Sequence, residues 1–276
     1  MPTLTISTLG IEIAITSVAT VTDVLAEIFA DTLVPAATAR SADVEIRIRR
    51  RGVRTWRLSV GGETHLDHAE LFHIVPELLT AINAEVSRHR AATDLVLHAG
   101  AFRIHDSAIV ACGPSGSGKS TLVAAAVRRG FGYLCDEVSA IDAQTLVVDS
   151  YHRPIGLRPD GARALGLARP ASRLEFDDLW PTVASANGPV AEPASVGRVV
   201  IVSFDPTEHG VTIGEVSPAH ALIGLVDLTL GAAGREREMF RRLEHLVREV
   251  PVNTMRYSDP NMAAHRLGVL VADDDV

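Results

Sequence analysis

Aromatic residues make up only 4% of this 276-residue chain, so its core has to be built from aliphatic side chains. Cysteine is scarcer still. Only Cys112 and Cys135 occur, which rules out a disulfide scaffold and fits a reduced, cytoplasmic protein with small buried thiols. Each cysteine falls at the end of an expected buried strand; the thiols could lie close, but no disulfide is expected. No apolar stretch reaches the length of a membrane span, and the first residues lack the basic, apolar and small-residue order of a secretory signal. Positive charge is also short. Against 34 Asp and Glu stand 26 Lys and Arg, a formal net charge of −8, so neither a membrane nor a nucleic-acid partner is expected. The local exception is Arg47-Ile48-Arg49-Arg50-Arg51. Its approach, Glu45-Ile46-Arg47-Ile48-Arg49, alternates like a half-exposed strand, which places the charges on an outer face.

Against these absences stands one dense signal. The run Gly113-Pro114-Ser115-Gly116-Ser117-Gly118-Lys119-Ser120-Thr121 fits the phosphate-binding pattern G-x-x-x-x-G-K-[ST] at every fixed position. Its glycines let the backbone curl where a Cβ would block it. The curl turns successive N–H groups inward as a nest for phosphate oxygens. Lys119 adds a point charge that reaches the outer phosphates. Ser120 offers a hydroxyl to Mg²⁺, which arrives with the nucleotide. The flanks support this reading. Residues 108–112 are an apolar run, as a buried strand would be. Residues 122–129 are Ala-rich with two cations at the end, and Gly130 supplies a helix stop.

The rest of the chain reads as a mixed α/β protein. A small α+β region is expected over residues 1–92 and a nucleotide-binding domain over 93–276. In the first region, residues 3–16 read as strand interrupted at Gly10. Residues 21–40 hold a helix and a Pro/Ala-rich loop, and Gly61-Gly62 makes a turn. Residues 70–86 carry helical spacing, with Pro76 as a kink or a late start. Residues 94–104 read as one long strand, 131–135 as another, and 138–142 pairs with 146–149. Residues 151–197 read as a long, partly mobile functional loop. A buried strand follows at 198–204. Ser217-Pro218 caps a helix over 219–230. A charged helix spans 234–250, with Met239, Leu243, Leu246 and Val247 on one face. Ser258-Asp259-Pro260 opens a last helix, and the acidic end from Asp273 reads as a solvated tail.

Phosphoryl transfer needs an acid to hold Mg²⁺ or to take the proton from an attacking hydroxyl. Asp136-Glu137 ends the strand after the phosphate-loop helix, at the edge that faces the nucleotide in a parallel arrangement. Neighbouring strand residues point to opposite faces, so one of the two is expected to reach the site. His98, on an apolar strand, reads first as a satisfied core histidine. Arg153 and Arg158 suit phosphate or carboxylate, but read foremost as surface residues of a loop.

Residues 94–142 as a whole resemble the catalytic core of the HPr kinase/phosphorylase-like proteins. That core has a His-containing strand, a hairpin, the glycine-rich loop, a helix ending near R-x-G, and a strand ending in paired acids. They also resemble the branch found beside peptide-modification genes, including lasso-peptide clusters. The likeness continues more faintly at His152-Arg153-Pro154-Ile155-Gly156-Leu157-Arg158 and at Arg256-Tyr257-Ser258-Asp259. The resemblance implies a P-loop kinase core of the HPr kinase/phosphoenolpyruvate carboxykinase-like type that uses ATP and Mg²⁺. It implies that Gly113 to Thr121 bind the triphosphate and that Ser120 and Asp136 serve the metal. Asp136 is the candidate base, Glu137 the second acid, and His98 the histidine near the transferred phosphoryl. It further implies a peptide or protein serine as acceptor and self-association of the chain. Glu137 stands where the bacterial HPr kinases usually carry Asp. Their C-terminal HPr-binding signature is not recognisable, which counts against HPr as acceptor and against phosphorolysis. The rival readings are a kinase of a free small molecule, such as an amino acid, and an ATP-binding partner of a peptide-modifying complex without transfer. A transport-type ATPase would need an L-S-G-G-Q-like segment, which is missing.

Overall fold

The computed structural model describes residues 1–35, 41–167, 180–182 and 188–274. Two sheets organise the chain. The first has five strands in the order β1 (Thr3–Thr8), β2 (Ile11–Thr16), β3 (Val44–Arg50), β4 (Trp56–Val60) and β5 (Glu63–Ala69). Two turns with left-handed backbone make its tight hairpins. Leu9 and Gly10 (φ 46° and 85°) join β1 to β2, and Gly61 and Gly62 (φ 57° and 92°) join β4 to β5. Helix α1 (Ala19–Ile28) forms part of the crossover from β2 to its parallel neighbour β3. Strand β3 alternates as its sequence predicts: Val44, Ile46 and Ile48 are buried, while Glu45, Arg47 and Arg49 are exposed.

Helix α2 (Leu71–Arg90) lies under the first sheet and buries Ile74, Val75, Leu78, Ile82 and Val86. Pro76 sits inside the helix without ending it. The C-terminal end of α2 is pinned from a distance. The Arg242 guanidinium donates to the carbonyls of Ala91 (3.1 Å), Ala92 (3.1 Å) and Asp94 (2.6 Å), which ties the C-cap of α2 and the turn into β6 (Asp94–Leu97) to α6 (Glu236–Glu249).

The second sheet has nine strands. These are β6 (Asp94–Leu97), β7 (Ala99–Ile104), β8 (Ser107–Cys112), β9 (Gly132–Cys135), β10 (Ser139–Asp142), β11 (Val147–Val148), β14 (Ala194–Phe204), β15 (Val211–Glu215) and β16 (Val252–Tyr257). A separate pair, β12 (Ile155–Leu157) with β13 (Trp180–Thr182), lies beside it. Strands β8, β14 and β16 are parallel neighbours. Strand β9 is antiparallel to β7, as β8 is, so the C-terminal ends of β8 and β9 share one edge. Helix α3 (Lys119–Arg128) leaves that edge and is buried on nearly every side chain from Leu122 to Val127. It can close on the sheet because Gly100 of β7 has no Cβ; one there would stand 2.6 Å from Val123 Cγ2. The other helices are α4 (Pro159–Ala164), α5 (Pro218–Val226), α6 (Glu236–Glu249) and α7 (Pro260–Asp274). One apolar cluster joins the two sheets, and a second lies around α3, α7 and β12. Among the described residues no helix is long and apolar enough to cross a membrane.

Several expectations change. The long strand at 94–104 is two strands, because the chain leaves the ladder at His98. The His98 N–H instead donates to the Leu228 carbonyl at 2.7 Å. Residues 151–167 are no surface loop: Tyr151, Arg153, Ile155 and Leu157 are buried, and β12 and α4 form there. The apolar side chains of this stretch pack beneath α3, and Gly161 lets α4 pass close to Thr121. The remainder, 168–179 and 183–187, lies outside the described residues. Ser217 precedes α5 but makes no capping bond; its hydroxyl pairs with His220 Nδ1 at 2.8 Å. Asp259 does the capping for α7, accepting from the Asn261 and Met262 N–H groups. That helix carries the acidic end as far as Asp274, and Asp275 lies outside the described residues. Strands β5, β15 and β16 had no strong sequence signal.

The strand-face reading of the arginine run can be checked by stability. Ile46→Ala should cost about 2–5 kcal/mol in denaturant unfolding. Arg47→Ala, on the opposite face, should stay within ~0.5 kcal/mol of the parent.

Candidate functional site

The glycine-rich loop of residues 113–118 occupies the turn between β8 and α3, as strand–loop–helix. Three of its glycines adopt backbone that other residues resist: Gly113 (φ 150°), Gly116 (φ 83°) and Gly118 (φ 96°). Space reinforces the choice at Gly118, where a Cβ would lie 2.2 Å from the Tyr257 hydroxyl. That hydroxyl donates to the Gly118 carbonyl at 2.9 Å, and the Phe204 N–H donates to the Ser117 carbonyl at 2.9 Å. The ends of β16 and β14 therefore hold the loop from behind. Tyr257 and Phe204 in turn meet edge to face, ring centroids 5.8 Å apart.

Lys119 folds back over the loop. Its Nζ donates to the carbonyls of Gly113 (2.7 Å) and Pro114 (3.1 Å). Burial pulls its pKa below the ordinary lysine value, with the carboxylates of Glu137 and Asp136 opposing. Ser120 Oγ donates to Asp136 Oδ1 at 3.0 Å. Asp136 has no solvent exposure. Burial, then the charge of Glu137, raises its pKa to about 6, while Arg153 and the Ser120 bond hold it back. Thr121 faces α4, and Ser115 accepts from Arg158 Nη2 at 3.4 Å.

The paired acids are not successive residues of a straight strand. The chain bends out of β9 at Asp136, and Glu137 has φ 76°. The bend sends the two carboxylates to different partners. Asp136 meets Ser120, while His98 Nδ1 donates to the Glu137 main-chain carbonyl at 3.2 Å, with Glu137 Oε2 3.3 Å away. Burial lowers the pKa of His98, against the raising effect of Glu137. A neutral imidazole with Nδ1 committed to Glu137 leaves Nε2 as a free base. The structure thus brings His98, Lys119, Ser120, Asp136 and Glu137 together around one strand edge.

Arg153, read from sequence as suited to phosphate or carboxylate but foremost as a loop-surface residue, is buried. It is 3% exposed, its Nε and Nη1 have no partner, and its charge acts on Asp136, Glu137 and His98. Arg158 stays exposed above the loop, near Gly116. Unpartnered buried polar atoms gather here: Ser117 Oγ, Asp136 Oδ2, Arg153 Nε and Arg153 Nη1. Each costs free energy unless something meets it. An anion suits the arginine, and a hard cation suits an oxygen pair of carboxylate and hydroxyl. Among the described residues no cluster of three or more His, Cys, Asp or Glu is set to hold a metal by itself. Cys112 and Cys135 take no part; burial pushes both thiols up to about 12.

The raised Asp136 carboxyl has a consequence for stability. Unfolded, the group ionises near its ordinary value of 3.8; folded, only near 6. The native state is therefore penalised as pH rises through that window, and the penalty stays above it. In chelator, Asp136→Asn should raise Tm at pH 7.5 by on the order of 5 °C, and the gain should shrink toward pH 4. A lower Tm at pH 7.5 would show the carboxylate to be a net stabiliser.

No protein-family model matches this chain, and no curated protein matches it. Among solved structures, the Hpr(Ser) kinase/phosphatase from Coxiella burnetii is similar at 13% identity. The alignment spans 64% of this chain and 90% of that one, with a TM-score of 0.33. A superposition that loose carries no argument, so the reading of the site rests on its own geometry.

Proposed function

We propose that this chain is an ATP-dependent phosphotransferase with a P-loop core of the HPr kinase-like type, acting on a hydroxyl of the serine kind. The observation that carries the reading is the 3.0 Å contact between Ser120 Oγ and Asp136 Oδ1 at the start of α3, beside Lys119. It joins the hydroxyl of the loop to a carboxylate that has one oxygen unsatisfied. Those two oxygens would hold Mg²⁺, which would neutralise charge on the transferring group when bound. The loop N–H groups cradle the phosphates. Lys119 exchanges its present carbonyl partners for phosphate oxygens, and Arg153 offers two unpartnered nitrogens, Nε and Nη1, to an anion. With Asp136 spent on Ser120, the His98–Glu137 pair is the better base: Glu137 fixes the imidazole and Nε2 takes the hydroxyl proton. Positioning and electrostatics would supply most of the rate.

Transfer of labelled γ-phosphate from ATP with Mg²⁺ tests this, with Lys119→Ala as control. Label on a peptide, protein or small hydroxyl compound, absent in the control, supports the kinase. Asp136→Asn should then lower turnover at least ~100-fold while nucleotide still binds. Tight ATP binding with no transfer to any acceptor would favour the rival reading, a nucleotide-dependent partner in peptide modification.

The reading also implies a pH dependence. Asp136 must be ionised to hold a cation, so the rate should climb as pH rises through about 6. Added Mg²⁺ favours the ionised form and should move that limb to lower pH. A pH–rate profile at two Mg²⁺ concentrations checks both statements; a limb that ignores Mg²⁺ would remove Asp136 from the metal.

A further inference from the structure

A cavity of about 450 Å³ opens between α2 and the bend after β9. One wall is the polar side of α2, with Asn83, Ser87 and Arg88. The other holds His98, Glu137 and Leu230. None of residues 113–121 lines it, so it is not the phosphate site. Its lining pair His98 and Glu137 adjoins that site along the chain, since Glu137 directly follows Asp136.

We propose that this cavity binds the phosphoryl acceptor, and that the acceptor is a hydroxy carboxylate of amino-acid size. The proposal rests on the kinase reading and deepens it. Size is the first argument: the volume lies within the range of small-ligand sites and has room for an amino acid or a short chain end, not for a folded surface. The wall chemistry is the second. Tyr151 donates to Asn83 Oδ1 at 2.9 Å, which leaves the Asn83 amide N–H groups for a ligand. Arg88 spends Nε and Nη2 on Glu85, and Nη1 remains at the rim. Ser87 is 5% exposed, and its buried Oγ has no partner. A guanidinium and an amide suit a carboxylate. The lining pair supplies the base. The acceptor O–H gives its proton to His98 Nε2 as its oxygen bonds to the γ-phosphorus. The bond from that phosphorus to the bridging oxygen breaks, and the electron pair leaves on the β-phosphate of the nucleoside diphosphate. The imidazolium then returns its proton to solvent.

Calorimetric binding without nucleotide tests the cavity apart from the kinase. The probes are L-serine, L-threonine, L-homoserine, ethanolamine, and a tripeptide ending in serine as free acid and as amide. At least one free carboxylate should bind, while ethanolamine and the amide should not. Asn83→Ala and Arg88→Ala should each weaken binding about tenfold, with ATP affinity unchanged. In transfer assays the same variants should raise the acceptor KM and spare kcat. Binding by the free amino acids or only by the tripeptide acid tells a free acceptor from a chain end. The proposal is overturned if no carboxylate binds, with or without a non-hydrolysable ATP analogue. It is equally overturned if binding survives both substitutions and Ala84→Trp, which fills the cavity. A carboxylate that binds in the cavity but receives no phosphate from bound ATP sinks the kinase reading and the acceptor role with it, and leaves only a carboxylate site.

Discussion

The carboxylate of Asp136 has no contact with solvent, and one of its oxygens meets no donor. Placing such a group at the end of β9 works against the fold, since burial disfavours its charge. The surroundings are arranged around that cost. Ser120 donates to it, and the Arg153 charge lies within reach without a direct bond. Gly100 keeps the space open beside it, its position 3.4 Å from Oδ1 for any added Cβ. The packing of α3 against β7 and β9 around it has to offset that cost.

The second constraint is the bend that follows. A straight strand would turn Asp136 and Glu137 to opposite faces of the sheet. The left-handed backbone at Glu137 instead ends the strand and carries its carboxylate to His98. His98 is itself displaced from the ladder by the break between β6 and β7. Two irregularities far apart in sequence therefore meet, and their meeting sets the His98 imidazole beside Glu137 in the lining of a cavity. Two carboxylates with separate partners are also how one edge can serve both a metal and a proton.

The first sheet has a place in this arrangement. It carries α2, whose apolar side packs on its strands and whose polar side walls the cavity. Arg242 from α6 fixes the end of that helix. The region that reads from sequence as a front unit thus contributes the surface on which an acceptor would rest.

Much was legible beforehand because it is local. The glycine pattern at 113–118 with Lys119 and Ser120 marks a loop whose conformations only glycine tolerates cheaply. The alternation in β3 and the buried stripe of α6 follow from fixed periods of side-chain direction. Tyr151, Arg153 and Ile155 misled because a Pro- and Gly-rich stretch looks exposed, and nothing local says that α3 will cover it. Strands β15 and β16 depend on partners distant in the chain. The sequence by itself determined the phosphate loop, the helix that follows it and the acids near it, since backbone permissiveness and periodicity act over a few residues. The tertiary structure alone decided that Arg153 is buried, that Asp136 and Glu137 part company, and that α2 closes a cavity over His98. Those outcomes come from long-range packing, where the free energy of covering apolar surface overrides the local preference of each residue.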